Sequence, residues 1–162
     1  MIQRLQSLYL LIVFILAIVS LCSTIALYNA GGEPVADFTN FTFNTFADPF
    51  TKIQSAGPWA LGVIQIVVAA LAIFTILNFN KRVLQMRVTT FNIILLIGYV
   101  AAYAFYAWLY QQKLMEVKDN FEPDFQLKLT AIYPVVSIIL CILAFRGIKR
   151  DEKLIRSLER IR

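Results

Sequence analysis

The chain has 162 residues, of which 59% are hydrophobic and 15% charged, and it carries a formal net charge of +5. Its mean hydropathy of +0.70 and its low charge, against about 25% in soluble domains, exclude a disordered chain and argue against an ordinary soluble domain. There is no histidine and there are two cysteines, Cys22 and Cys141, which excludes histidine general bases, His-bearing metal sites and disulfide frameworks.

Four apolar stretches, at 8–28, 58–79, 91–111 and 127–146, are free of charge except at their ends. Each is long enough to cross a hydrocarbon core of about 30 Å at about 1.5 Å per residue. The expected fold is therefore an all-α membrane protein, an antiparallel four-transmembrane-helix bundle with an amphipathic helix at its C-terminus. The first stretch follows Arg4 and exceeds a signal-peptide core, so it reads as a retained helix. Small residues at helical spacing mark the faces that should meet: Ala17, Ser20 and Thr24, then Gly62, Gln65, Ala69 and Ala72. The third stretch instead aligns Tyr99, Tyr103, Tyr106 and Tyr110. The fourth aligns Thr130, Pro134, Ser137, Cys141 and Ala144, and Pro134 is expected to kink it near Thr130. Pro58 suits the first turn of the second helix, with Ser55 as its cap, and Pro123 with Asp124 would open the fourth similarly.

Gln65 is the most polar residue deep in a span. It either touches a ligand in a cavity or locks the bundle through Tyr103, Tyr106 or Ser137. The tyrosine stripe either packs or lines a groove for an isoprenoid, a quinone or a lipid tail. Cys22 and Cys141 fall about 13 Å apart in height, beyond the roughly 7 Å reach of a disulfide, and read as buried small residues.

The connection 29–57 holds Phe38, Phe41, Phe43, Phe46 and Phe50. These rings are expected to cap the bundle, dip into a leaflet or contact another protein, with a short strand or hairpin over 40–44. Asn40-Phe41-Thr42 matches the glycosylation sequon, a weak signal on its own. The connection 112–126 reads as solvated. Its acids Glu116, Asp119, Glu122 and Asp124 lack a defined metal spacing.

Eleven of the fifteen Lys and Arg cluster near the two termini and the 80–90 connection, while seven of the ten acids lie on the other side. The positive-inside rule then places both termini in the cytoplasm. Tyr28, Trp59, Trp108, Tyr110 and Tyr133 near the opposite ends suit an interfacial belt. The tail 147–162 sets Leu154, Leu158 and Ile161 at helical spacing among basic residues. Together Lys81, Arg82, Arg87, Arg146, Lys149, Arg150, Lys153, Arg156 and Arg160 form a candidate face for anionic lipid or a partner protein. Nucleic-acid binding has no motif support.

Three segments carry a resemblance: the start Met1-Ile2-Gln3-Arg4-Leu5, the segment 76–98 with Lys81-Arg82-Val83-Leu84-Gln85-Met86-Arg87, and the run Ala144-Phe145-Arg146-Gly147-Ile148-Lys149-Arg150-Asp151-Glu152. Together they resemble a family of short four-span inner-membrane proteins of the Bacteroidota, known as a domain of unknown function. Ser157-Leu158-Glu159-Arg160 departs from the Ser-Ala-Asp-Arg expected there and leaves the charge pattern intact. The resemblance implies an inner-membrane home and transfers no catalytic residue.

The spans offer no embedded acid, base or nucleophile with a partner, so no enzyme activity and no cofactor are expected. An accessory or scaffold subunit of a larger envelope complex fits best, with the bilayer and other membrane subunits as partners. A small oligomeric transporter or channel, or a lipid-binding protein, is the alternative.

Overall fold

The computed structural model describes residues 2–46, 57–79, 81–117 and 124–159. Among the described residues four α-helices form: α1 over Ile2–Leu21, α2 over Trp59–Leu77, α3 over Arg82–Val117 and α4 over Tyr133–Glu159. They alternate in direction, with α1 packed on α2 and α4, and α3 packed on the same two. At one end, holding the start of α1 and the end of α4, Gln6 donates to the Asp151 carboxylate at 2.8 Å. A small sheet closes the other end.

Each helix turns a narrow seam inward, as a bundle requires. The buried positions are Gln6, Leu10, Val13, Ala17 and Ser20 on α1, and Ser137, Cys141, Ala144, Ile148 and Asp151 on α4. Small residues in these seams let backbones approach. At Gly147 an added Cβ would press on Gln6 Cγ at 2.9 Å. The outward faces carry exposed residues such as Ile15, Ile66, Ile94, Phe105 and Ile139. Three helices, Trp59–Leu77, Arg82–Glu116 and Leu129–Leu154, are long and apolar enough to cross a membrane, and the apolar helical segment Leu5–Leu21 is shorter. The architecture is mostly helical, with a small sheet, and compatible with a membrane protein.

The sheet was not expected at this size. The first apolar stretch divides: α1 stops at Leu21, and Ala26–Ala30 form β1. Ser23 helps end the helix by returning its hydroxyl to the Val19 carbonyl at 2.8 Å. β1 pairs with β2, Glu33–Phe38, through a two-residue turn at Gly31 and Gly32. Both glycines have positive φ, 60° and 92°, which the primed hairpin turns demand. The register slips between Tyr28 and Asn29, where Pro34 faces Asn29 and has no N–H for the ladder. β3, Phe43–Thr45, borders β2, while β4, Asp124–Leu127, pairs antiparallel with β1 on the opposite edge. Part of the connection expected to be solvated is thus a strand, and Asp124 opens β4 rather than a helix.

Three other expectations change. The connection expected over 80–90 is shorter, because α3 begins at Arg82. Pro134 sits in the first turn of α4, where its missing donor costs nothing. It starts that helix instead of kinking it, and Thr130 lies in a preceding 3₁₀ turn with its hydroxyl on the Thr24 carbonyl. Pro58 does precede α2, without a side-chain cap bond; Ser55 and Pro123 lie outside the described residues. Cys22 is exposed and Cys141 buried, both free, so only the second is the buried small residue expected.

Asn40 fastens the sheet to the bundle. It is fully buried, its Nδ2 donates to the Ser20 carbonyl at 2.7 Å, and its Oδ1 accepts from the Tyr99 hydroxyl at 2.7 Å. Its own carbonyl accepts from the Gly62 N–H at 3.1 Å. In the folded chain this sequon asparagine has no room for a glycan. Asn40→Ala should cost about 1–3 kcal/mol for each group left without a partner. Thermal unfolding in detergent should show that loss, while Asn44→Ala on the exposed strand should stay within about 0.5 kcal/mol of the parent.

Candidate functional site

Beneath the sheet lies an aromatic core. Tyr110 stacks on Phe43 with centroids 4.1 Å apart and meets Phe38 edge-on at 5.5 Å. Tyr28 lies 5.8 Å from Phe43 and 5.4 Å from Phe125, and its hydroxyl donates to the Ala107 carbonyl at 2.8 Å. Tyr28 and Tyr110, expected at the interface, are therefore buried, whereas Trp59 and Trp108 are exposed. Of the five loop phenylalanines, Phe38 and Phe43 join this core. Phe41 lies over α2, where a Cβ at Gly62 would overlap its ring and one at Gly57 its carbonyl. Phe46 is exposed, and Phe50 lies outside the described residues. Phe38 and Phe43 thus pack on the bundle, while Phe41 covers part of α2 and stays exposed.

Gln65 and Ser137 are buried between helices. Gln65 Oε1 has no hydrogen-bond partner, and Tyr99 and Tyr103 direct their hydroxyls elsewhere, to Asn40 and to the Ala131 carbonyl at 3.4 Å. Tyr106 is half-buried and stacks on Tyr110 at 6.0 Å. A shallow groove of about 290 Å³ runs between α3 and β4, and Tyr103 is the one residue of the stripe that lines it.

Sequence reasoning missed the polar extension of the α3 seam. Gln85, Thr89 and Asn92 are buried; Gln85 Nε2 donates to the Thr75 carbonyl at 2.8 Å. Thr89 Oγ1 and both amide atoms of Asn92 have no partner. The signal was present: 85, 89, 92, 96 and 99 continue the tyrosine spacing backwards in strict alternation of four and three. It was hidden because 80–90 reads as a connection.

The end with both termini is built differently. Lys81, Arg87, Arg146, Lys149, Arg150 and Lys153 are exposed there and Arg82 is half-buried. The tail helix continues α4 as far as Glu159, with Asp151 buried against Gln6 and Leu154 exposed. The Arg156 side chain and Arg160 lie outside the described residues. Beside this basic end a groove of about 380 Å³ opens between α3 and α4, lined by Met86, Arg87, Thr90, Phe91, Ile94 and Phe145. The Thr90 hydroxyl returns to the Met86 carbonyl at 2.9 Å, which leaves Arg87 as the polar group facing that groove. Among the described residues no cluster of three His, Cys, Asp or Glu is placed to hold a metal ion.

Fold and surface together define a helical bundle, compatible with a membrane protein, with a sheet cap at one end and a cationic surface at the other. Residues 2–161 match the domain of unknown function DUF4293, and the chain belongs to that family. No curated protein and no solved structure matches it.

Burial, and secondarily Tyr110, holds the Tyr28 phenol above its ordinary range. The folded chain keeps a proton that the unfolded chain releases above about pH 10. The contribution is therefore complete below about pH 10 and declines as the pH rises beyond it. Unfolding in detergent across that range should fall more steeply for the parent than for Tyr28→Phe, which also loses about 1 kcal/mol at neutral pH with its hydrogen bond. Parallel curves would contradict this.

Proposed function

We propose that this chain is a non-catalytic integral protein of the bacterial inner membrane, an accessory or scaffold subunit of a larger envelope complex. In this reading both termini lie in the cytoplasm, and the resemblance to a Bacteroidota family implies the inner-membrane home. The observation that carries the reading is the inequality of the two ends. At the sheet end Tyr28, Phe38, Phe43 and Tyr110 pack inward onto the helices. The basic end leaves Lys81, Arg146, Lys149, Arg150 and Lys153 on the surface. Positive charge of this density marks the cytoplasmic side of a membrane, and an acidic partner surface complements it.

The test is an affinity-tagged isolation from native membranes in mild detergent, with the intact complex weighed by native mass spectrometry. A second protein at fixed stoichiometry, lost in the triple variant Lys81→Glu, Arg150→Glu, Lys153→Glu while helicity and melting stay at parental values, is the expected result. A bare monomer or a closed homo-oligomer would overturn it and bring transport or lipid handling forward.

A further inference from the structure

We infer that the α3–α4 groove at the basic end holds one anionic glycerophospholipid of the adjacent leaflet, its phosphate on Arg87 and an acyl chain along Phe91, Ile94 and Phe145. The groove is apolar along its length and cationic at one end, which is the polarity of such a lipid. Arg87, Phe91 and Ile94 share a helix face, and the seven steps from Arg87 to Ile94 rise about 10 Å. That distance takes a chain from the headgroup level into the hydrocarbon. On α4, Lys149 lies one turn beyond Phe145 towards the terminal end, on the same face, and adds a second cation at the headgroup level.

Neither wall offers the phosphate competition. Among the described residues no carboxylate pairs with Arg87, and Thr90 uses its hydroxyl within its own helix. A soluble anion would gain nothing from the aromatic and aliphatic walls. An extended peptide would find its backbone groups unmatched, because the helices' own backbone bonds are internal. The lipid satisfies both parts. Phe91 and Ile94 are 52% and 60% exposed, so the site opens sideways to the bilayer, as entry from a leaflet requires.

The inference rests on the membrane reading above but not on the accessory role. It is tested on the purified full chain, without a partner, by native mass spectrometry against phosphatidylglycerol and phosphatidylcholine of identical chains. One phosphatidylglycerol should bind in preference to phosphatidylcholine. Arg87→Gln should weaken it about tenfold, the scale of one lost charge-assisted hydrogen bond. Ile94→Trp, which fills the groove, should weaken both lipids, and Arg150→Gln, outside it, should change neither. Arg87→Lys should recover most of the preference, which guards against a fold defect in the glutamine variant. Equal binding of the two lipids, or equal effects of Arg87→Gln and Arg150→Gln, would overturn the site. A chain that washes out of membranes in alkaline carbonate would instead defeat the membrane reading itself, and a missing protein partner would leave the lipid result standing.

Discussion

The hydrogen bonds at Asn40 join the sheet to three helices at once: α1 through the Ser20 carbonyl, α2 through the Gly62 N–H and α3 through the Tyr99 hydroxyl. A chain that leaves one helix as a strand and returns as another must satisfy its polar groups where water is scarce. One residue meets three of those demands, two through its side-chain amide and one through its backbone carbonyl. The position of everything nearby follows, because Phe41 can lie over α2 only if residues 57 and 62 lack a Cβ. The sheet is thereby a lid fixed in register on the bundle, with Phe43 and Phe38 delivered against Tyr110.

The opposite end is held with fewer ties. Gln6 meets Asp151 over Gly147, and Gln85 closes the turn between α2 and α3 on the Thr75 carbonyl. Both are polar bonds within the seam, so the basic side chains remain outside it. This division of labour is the physical basis for assigning recognition to that end. Structure is concentrated at the sheet, and unspent charge at the termini.

Between the two ends the core is less settled. Gln65, Thr89 and Asn92 bury polar atoms without partners, each at a cost of about 1–3 kcal/mol. They share the inward seams with the apolar residues Val68, Ala72 and Leu96. Their placement in phase with the seam ties them to helix register, since a rotated helix would turn them towards lipid at greater expense.

Much of this was legible from residues alone. Helix number, their alternating direction and the inward stripes Ala17–Ser20, Gly62–Gln65–Ala69–Ala72 and Ser137–Cys141–Ala144 follow from local periodicity, because a helix satisfies its own backbone and displays its packing face within a few turns. The concentration of charge near the termini is equally a property of the sequence. What the tertiary structure decided depends on partners far along the chain. Ala26 pairs with Leu127 in the sheet, Asn40 is a structural bond rather than a surface sequon, and Tyr28 and Tyr110 are core rather than interface. A strand or a buried amide has no internal partner, so its role is set only when the fold brings a distant one alongside.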